Sequence, residues 1–231
     1  MKKNTLKKIL LSILAFIIII FLAFIIYASN YYKADEKANS ILESENVIQE
    51  NNLTILLPNK DIDKKIGLIF YPGGKVEDIA YLPLLKELSN KGITCYLIKM
   101  PFNLAVFNIN AADKIIEKHN EINKWYIGGH SLGGAMASSY VEKNYNKISG
   151  LILLAAYPIN NDINNVLCLY GSNDMVLDKT KLDTIQNKIE IKGGNHAFFG
   201  NYGNQKGDGY PTITRDEQQE FTINQIINFI N

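Results

Sequence analysis

From residue 67 onward, short and largely apolar runs alternate with amphipathic stretches, and this alternation constrains the fold more than any other feature of the chain. The runs lie at 68–71, 93–98, 125–127, 151–154, 166–170 and 189–191. A strand with one wet face alternates apolar and polar residues, whereas a strand apolar throughout is covered on both faces, as in parallel sheets. Helical periodicity is expected between them at 78–91, 109–120, 132–145 and 178–186, with a last helix at 214–230. Strands alternating with helices predict the α/β class, a mostly parallel doubly wound sheet flanked by helices. Ahead of it, 47–49 and 53–57 flank Glu50-Asn51-Asn52 and read as a hairpin. In such a sheet ligands bind at the carboxyl ends of the strands, so loops following strands are where chemistry is expected.

The front of the chain is different. Residues 9–28 form an apolar run interrupted by Ser12, with Tyr27 near its end. Twenty helical residues rise about 30 Å, the thickness of a bilayer's hydrocarbon core. A secretory signal peptide has a shorter apolar core and a small-x-small cleavage site. Ile26-Tyr27-Ala28-Ser29-Asn30 matches that site poorly, so an uncleaved transmembrane helix is expected. Lys2, Lys3, Lys7 and Lys8 precede the run, and fewer cations follow it closely. The positive-inside rule then keeps residues 1–8 in the cytoplasm and sends the rest outside. The expected organisation is a cytoplasmic N-terminus at 1–8, a transmembrane anchor at 9–28, a stalk at 29–45 and the α/β domain at 46–231. The localisation implied is the cell membrane, single-pass, with that domain on the extracytoplasmic side.

Charge and cysteine content exclude other classes. The 231 residues carry 24 Lys+Arg against 23 Asp+Glu, and Arg215 is the single arginine. A nucleic-acid binder needs a basic face to release counterions, so no nucleic-acid partner is expected. The 2 cysteines cannot build a disulfide scaffold. They lie within expected core strands that are not neighbours, so buried thiols are expected. No Cys/His spacing suggests a metal, and no cofactor is implied.

Gly129-His130-Ser131-Leu132-Gly133 lies between an expected strand and an expected helix. A serine on so sharp a turn adopts a strained backbone, and small residues two positions either side avoid clashes. Its hydroxyl then projects at the sheet edge beside a helix N-terminus that favours developing negative charge. Ser131 is the expected nucleophile. Of the three histidines, His130 adjoins the serine with its side chain expected to point elsewhere, and His119 ends a helix as an expected surface residue. His196 follows the last strand and is the expected general base. The acid should fall between them in sequence. Asp174 sits in the loop after 166–170 and is favoured over Asp178, which reads as a helix cap. An oxyanion hole needs two amides: Leu132, directly after the nucleophile, and one from Tyr71-Pro72-Gly73-Gly74-Lys75, with Gly74 first and Lys75 second.

Tyr-Pro-Gly-Gly-Lys at 71–75, Met100-Pro101-Phe102-Asn103-Leu104-Ala105, the glycine-rich stretch 128–134 and Gly193-Gly194-Asn195-His196-Ala197 together resemble the bacterial alpha/beta-hydrolase fold-5 family. That family is distantly similar to dienelactone hydrolases and small esterases. The resemblance covers the chain from about residue 47 to its end. It implies an alpha/beta-hydrolase fold and hydrolase activity through a triad carried here by Ser131, Asp174 and His196.

The reading is a membrane-anchored serine hydrolase acting on a small-molecule ester or acyl substrate, with thioesters or lactones as variants. An acyltransferase acting on envelope components and a catalytically silent surface binding module are the alternatives. Only 155–165 separates two strands where larger lipases insert a lid, so an open site is expected. Lys75, beside the oxyanion loop, could attract an anionic substrate, and Phe102 could line an acyl pocket, although packing into the core explains that loop equally well. Phe199 opens a glycine-rich loop that either covers the site or merely connects.

Overall fold

The computed structural model describes residues 3–160 and 162–231. Residues 1 and 2, part of the segment expected in the cytoplasm, lie outside the described residues, as does residue 161. The chain divides into one unit ending at Tyr31 and a second running Tyr32–Asn231. The first is a single helix, α1 (Lys3–Ser29). Its stretch Leu6–Ser29 is long and apolar enough to cross a membrane, a property that spans share with signal sequences.

The second unit is built on eight strands: β1 (Val47–Glu50), β2 (Leu53–Leu56), β3 (Ile66–Tyr71), β4 (Ile93–Ile98), β5 (Lys124–His130), β6 (Gly150–Leu154), β7 (Val166–Gly171) and β8 (Lys188–Ile191). They form one sheet in the order β1-β2-β4-β3-β5-β6-β7-β8. The hairpin β1–β2 joins β4 antiparallel, and every later pair is parallel. Among the described residues five α-helices follow α1: α2 (Glu36–Ser40), α3 (Leu82–Asn90), α4 (Ala112–Lys118), α5 (Leu132–Asn144) and α6 (Arg215–Ile230).

The continuous apolar runs are explained by two cores, one on each face. Along β3, Leu68 and Phe70 pack with Leu82, Leu85 and Leu88 of α3 and with Ile223, Ile226 and Ile230 of α6. Ile69 and Tyr71, one residue out of phase, pack with Ile115 of α4 and with Ala137, Tyr140 and Val141 of α5. A period-2 strand with apolar residues in both phases must be covered on both sides. Cys95 and Cys168 lie buried in β4 and β7 as free thiols, and burial pushes Cys168 up to about 12.

Three expectations on secondary structure change, and in one of them 109–120 opens as the 3-10 turn Ile109–Ala111 before α4. The helix expected at 78–91 begins as a 3-10 turn at Asp78–Tyr81 before becoming α3, and 178–186 holds only the 3-10 turn Lys179–Leu182. That segment buries few side chains, chiefly Leu182 and Ile185. Its Asp183 and Thr184 are weak helix formers, and Lys188 Nζ donates to the Leu182 carbonyl at 2.8 Å.

The stretch expected as a stalk instead begins the domain. Tyr32 pairs with Val76 in a parallel bridge, and Ala34, Ile41 and Leu42 pack on the core. Asp35 caps α2 by accepting the Ala38 N–H at 2.9 Å. Its other carboxylate oxygen accepts from Asn201 Nδ2 at 3.0 Å and Arg215 Nη1 at 3.3 Å. Long-range partners, invisible in a local polar composition, hold this segment down.

Candidate active site

After β3 the chain crosses to β4 on one side, then to β5 on the other, so the strand order reverses at β3. A crevice opens at such a switch point, beyond the strands' carboxyl ends. Tyr71 at the end of β3 pairs with Gly129 of β5, which sets the loop 72–77 beside the turn carrying Ser131.

Ser131 stands between β5 and α5 with φ 50° and ψ −121°, a conformation costly for any residue with a Cβ. The surroundings enforce it. The Ser131 N–H donates to the Leu154 carbonyl at 2.9 Å, and α5 starts at the next residue. A Cβ at Gly133 would collide with the Tyr71 and Pro72 carbonyl oxygens, and one at Gly129 with the Gly133 backbone. Both glycines of the five-residue motif are therefore required by close backbone approach. The Ser131 side chain makes no capping bond to the helix. The amide of Leu132, first residue of α5, has no intrahelical acceptor.

His196 follows β8 and is fully buried. Its Nδ1 lies 2.9 Å from Asp174 Oδ2, so Nδ1 carries the proton and Nε2 keeps a lone pair. Among the described residues Nε2 has no hydrogen-bond partner. Asp174 sits in the loop after β7, and its Oδ1 accepts the N–H groups of Val176 (2.8 Å) and Leu177 (2.9 Å). Both carboxylate oxygens are thereby fixed. Asp178, the rival acid, is bound to Thr180 through its backbone N–H (3.2 Å) and hydroxyl (2.6 Å). Ser131, Leu132 and His196 line a cavity of about 350 Å³, with Ala155, Tyr157, Val176 and Asp178 among its other walls.

Gly74 lies against the Leu132 side chain, where a Cβ would come within 2.8 Å of Leu132 Cδ2. The Lys75 amide, the second-choice oxyanion donor, donates instead to the Asn103 carbonyl at 2.8 Å. Lys75 and Phe102 lie on the neighbouring loops outside the cavity wall, Phe102 exposed with its ring edge-on to Phe107 at 5.7 Å. Phe199 is not a wall of that cavity. It is fully buried in the core with its ring 5.8 Å from that of His130, which removes it from contact with a substrate. His119, expected on the surface, is tucked against Tyr96 at 4.8 Å and paired with Glu121.

Two positioning residues escaped the sequence reading. His130 is buried, with Nδ1 2.8 Å from Tyr81 Oη and Nε2 3.1 Å from the His196 carbonyl. A carbonyl only accepts, so Nε2 bears the proton and Nδ1 accepts from the tyrosine hydroxyl. Burial and the adjacent His196 ring hold the His130 pKa well below the ordinary histidine value, which keeps this ring neutral. Tyr81 Oη in turn accepts the Gly73 N–H at 3.1 Å. A single line of hydrogen bonds thus joins the loop carrying Gly74 to the backbone of His196. The second residue is Asp208, in the glycine-rich loop after Phe199. Its carboxylate accepts the N–H groups of His196 (3.2 Å), Ala197 (2.9 Å) and Gly209 (2.8 Å). An aspartate between two glycines is the signal that could have marked it, since such side chains bind nearby backbone amides. From α6, buried Gln218 exchanges two hydrogen bonds with the Asn195 backbone.

The model of the alpha/beta hydrolase family matches residues 67–220, more than half of the chain. The chain belongs to that family. No curated protein matches it. Among solved structures, Est1E from Butyrivibrio proteoclasticus with ferulic acid bound is similar at 13% identity and TM-score 0.60, covering 80% of this chain and 98% of that one. The Paleococcus ferrophilus monoacylglycerol lipase is similar at 14% identity and TM-score 0.60, covering 78% and 100%. An a/b serine hydrolase without lid, XC6422 from Xanthomonas campestris, is similar at 11% identity and TM-score 0.54, covering 77% and 88%. At such identities the likeness shows the shared fold. Among the described residues of this alpha/beta hydrolase, no group of three or more His, Cys, Asp or Glu is placed to hold a metal ion.

Proposed function

We propose that this alpha/beta hydrolase is a membrane-anchored serine hydrolase that cleaves a carboxylic ester or related acyl bond. The observation that carries the reading is the state of His196. Its Nδ1 is tied to Asp174, its Nε2 has no partner among the described residues, and it shares a cavity wall with Ser131. An imidazole in that tautomer accepts a proton at Nε2. Ser131 Oγ attacks the substrate carbonyl while its proton passes to His196, and Asp174 stabilises the imidazolium. The negative charge on the carbonyl oxygen is met by the amides of Leu132 and Gly74. Collapse expels the alcohol, which leaves with the proton from His196, and the acyl group stays on Ser131. Water, deprotonated by His196, then releases the acid and restores the serine.

The ester-acting neighbours agree with this chemistry, since one binds ferulic acid and another is named a monoacylglycerol lipase. Only eleven positions, 155–165, join β6 to β7, so a substrate reaches the cavity without a lid domain to displace. The segment 9–28 serves as the uncleaved anchor, with the lysines before it in the cytoplasm and the domain outside.

Acyl-enzyme chemistry has a kinetic signature. With soluble p-nitrophenyl esters of graded chain length, the full chain in detergent should release a burst of nitrophenolate close to one equivalent of enzyme before steady turnover. The chain length giving the largest kcat/KM then defines the acyl preference. No turnover on esters, thioesters or lactones would overturn the hydrolase reading.

A further inference from the structure

Six of the domain's exposed large apolar side chains lie in loops at one edge, while others such as Ile48, Tyr145 and Phe221 lie elsewhere. Phe102, Val106 and Phe107 follow β4, Ile159 follows β6, and Met175 and Val176 follow β7. These strands are parallel, so their following loops share the edge that holds Ser131. Met175 is 72% exposed and Phe107 52%. Val176 belongs both to this rim and to the wall of the cavity. Soluble proteins seldom leave large apolar groups clustered in water, and a ring of them around a site marks a contact surface.

The chain's own path indicates what covers it. Tyr32, first residue of the domain, donates its N–H to the Lys75 carbonyl at 2.8 Å and accepts the Glu77 N–H at 2.9 Å. Lys75 donates in turn to Asn103, next to Phe102. The polypeptide therefore joins the domain on the rim's own edge, through the loop that carries Gly74. In sequence, the apolar stretch Leu6–Ser29 ends three positions before Tyr32. We propose that the rim of exposed apolar residues around the Ser131 cavity rests on a lipid bilayer surface. The proposal rests on the reading of 9–28 as an uncleaved anchor. It places the mouth of the cavity where esters with acyl chains in the bilayer are most concentrated. Side chains such as Phe and Met sit favourably about 5–10 Å into the headgroup and acyl boundary.

The experiment introduces one indole at a time into the full chain by Phe107→Trp, Met175→Trp and Tyr145→Trp. Tyr145 is 79% exposed and follows α5, which runs back from the Ser131 turn, so it reports the opposite edge. The native Trp125 is buried in β5 and supplies a constant background. Each variant is reconstituted into phosphatidylcholine–phosphatidylglycerol vesicles with and without dibrominated acyl chains, floated, and reacted with a fluorophosphonate. The expected result is quenching of about half the added emission for Phe107→Trp and Met175→Trp, with Tyr145→Trp unaffected. Equal emission with and without bromine at 107 and 175 overturns the proposal. Labelling in those same samples would show that the hydrolase reading survives that failure. Protein that does not float with the vesicles overturns both the anchor and the docking.

Discussion

Asp174→Asn is expected to lower kcat by about ten-thousandfold while leaving the fold and KM nearly unchanged. The cause is a tautomer, and the surrounding hydrogen bonds dictate it. Asp174 Oδ1 accepts two backbone N–H groups, from Val176 and Leu177. An asparagine must keep its carbonyl oxygen there, because turning its NH2 group toward two N–H donors would set donor against donor. The amide NH2 then faces His196 Nδ1, which must accept, and the proton moves to Nε2. A protonated Nε2 in a neutral ring cannot take the serine proton. Asp178→Asn is the control, since that carboxylate is engaged with Thr180. Asp178 lines the cavity but its carboxylate is bound to Thr180 and not to His196, so the variant's rate should stay within about tenfold of the parent. Equal losses at 174 and 178, measured as kcat on the best p-nitrophenyl ester, would contradict the assignment of the acid.

The second large effect is expected at His130. Replacement by leucine keeps much of the ring's volume but deletes both of its hydrogen bonds. The Tyr81 hydroxyl loses its acceptor and the His196 carbonyl its donor, each buried group costing about 1–3 kcal/mol when left unpaired. For a chain of this size that corresponds to a fall in Tm of roughly 4–24 °C. Activity should fall further than folding explains. The line from Gly73 through Tyr81 and His130 fixes the oxyanion loop relative to the base, and a displacement of about 1 Å there costs about a hundredfold in rate. Tyr81→Phe breaks the same line one bond earlier. The double variant should therefore lose less than the two single losses combined. Thermal melts and kcat/KM of the four proteins complete the cycle. Additive losses, or a His130→Leu protein with parental Tm and rate, would show that the line couples nothing.

These two residues also mark what local sequence could and could not convey. The sheet was legible because Leu68 to Tyr71 of β3 and Cys95 to Ile98 of β4 are apolar in both phases, a pattern that coverage on both faces explains. The turn at Ser131 was legible because its glycines are required by backbone contact within a few residues and with the adjacent strand. Asp174 and His196 were expected together from their places after parallel strands, and the fold puts Asp174 Oδ2 2.9 Å from His196 Nδ1. His130 did not, because its partners Tyr81 and His196 are distant in sequence and a tight turn gave no hint that the ring would fold inward. Asp208 was hidden similarly, its clients being the amides beside His196. Phe199 was read as opening a glycine-rich loop that covers the site or merely connects, yet it is core, at the end of the 3-10 turn Ala197–Phe199. The stretch after residue 31 read as a polar stalk because Asp35 finds Asn201 and Arg215 only in three dimensions.

The most direct measurement is the site of covalent modification by a fluorophosphonate, read by mass spectrometry of the digested full chain. A nucleophilic Ser131 activated by His196 predicts one adduct, on the peptide containing residue 131. It should be missing from Ser131→Ala and should form far more slowly in His196→Ala. An adduct on another residue, or one undiminished by Ser131→Ala, would contradict the account.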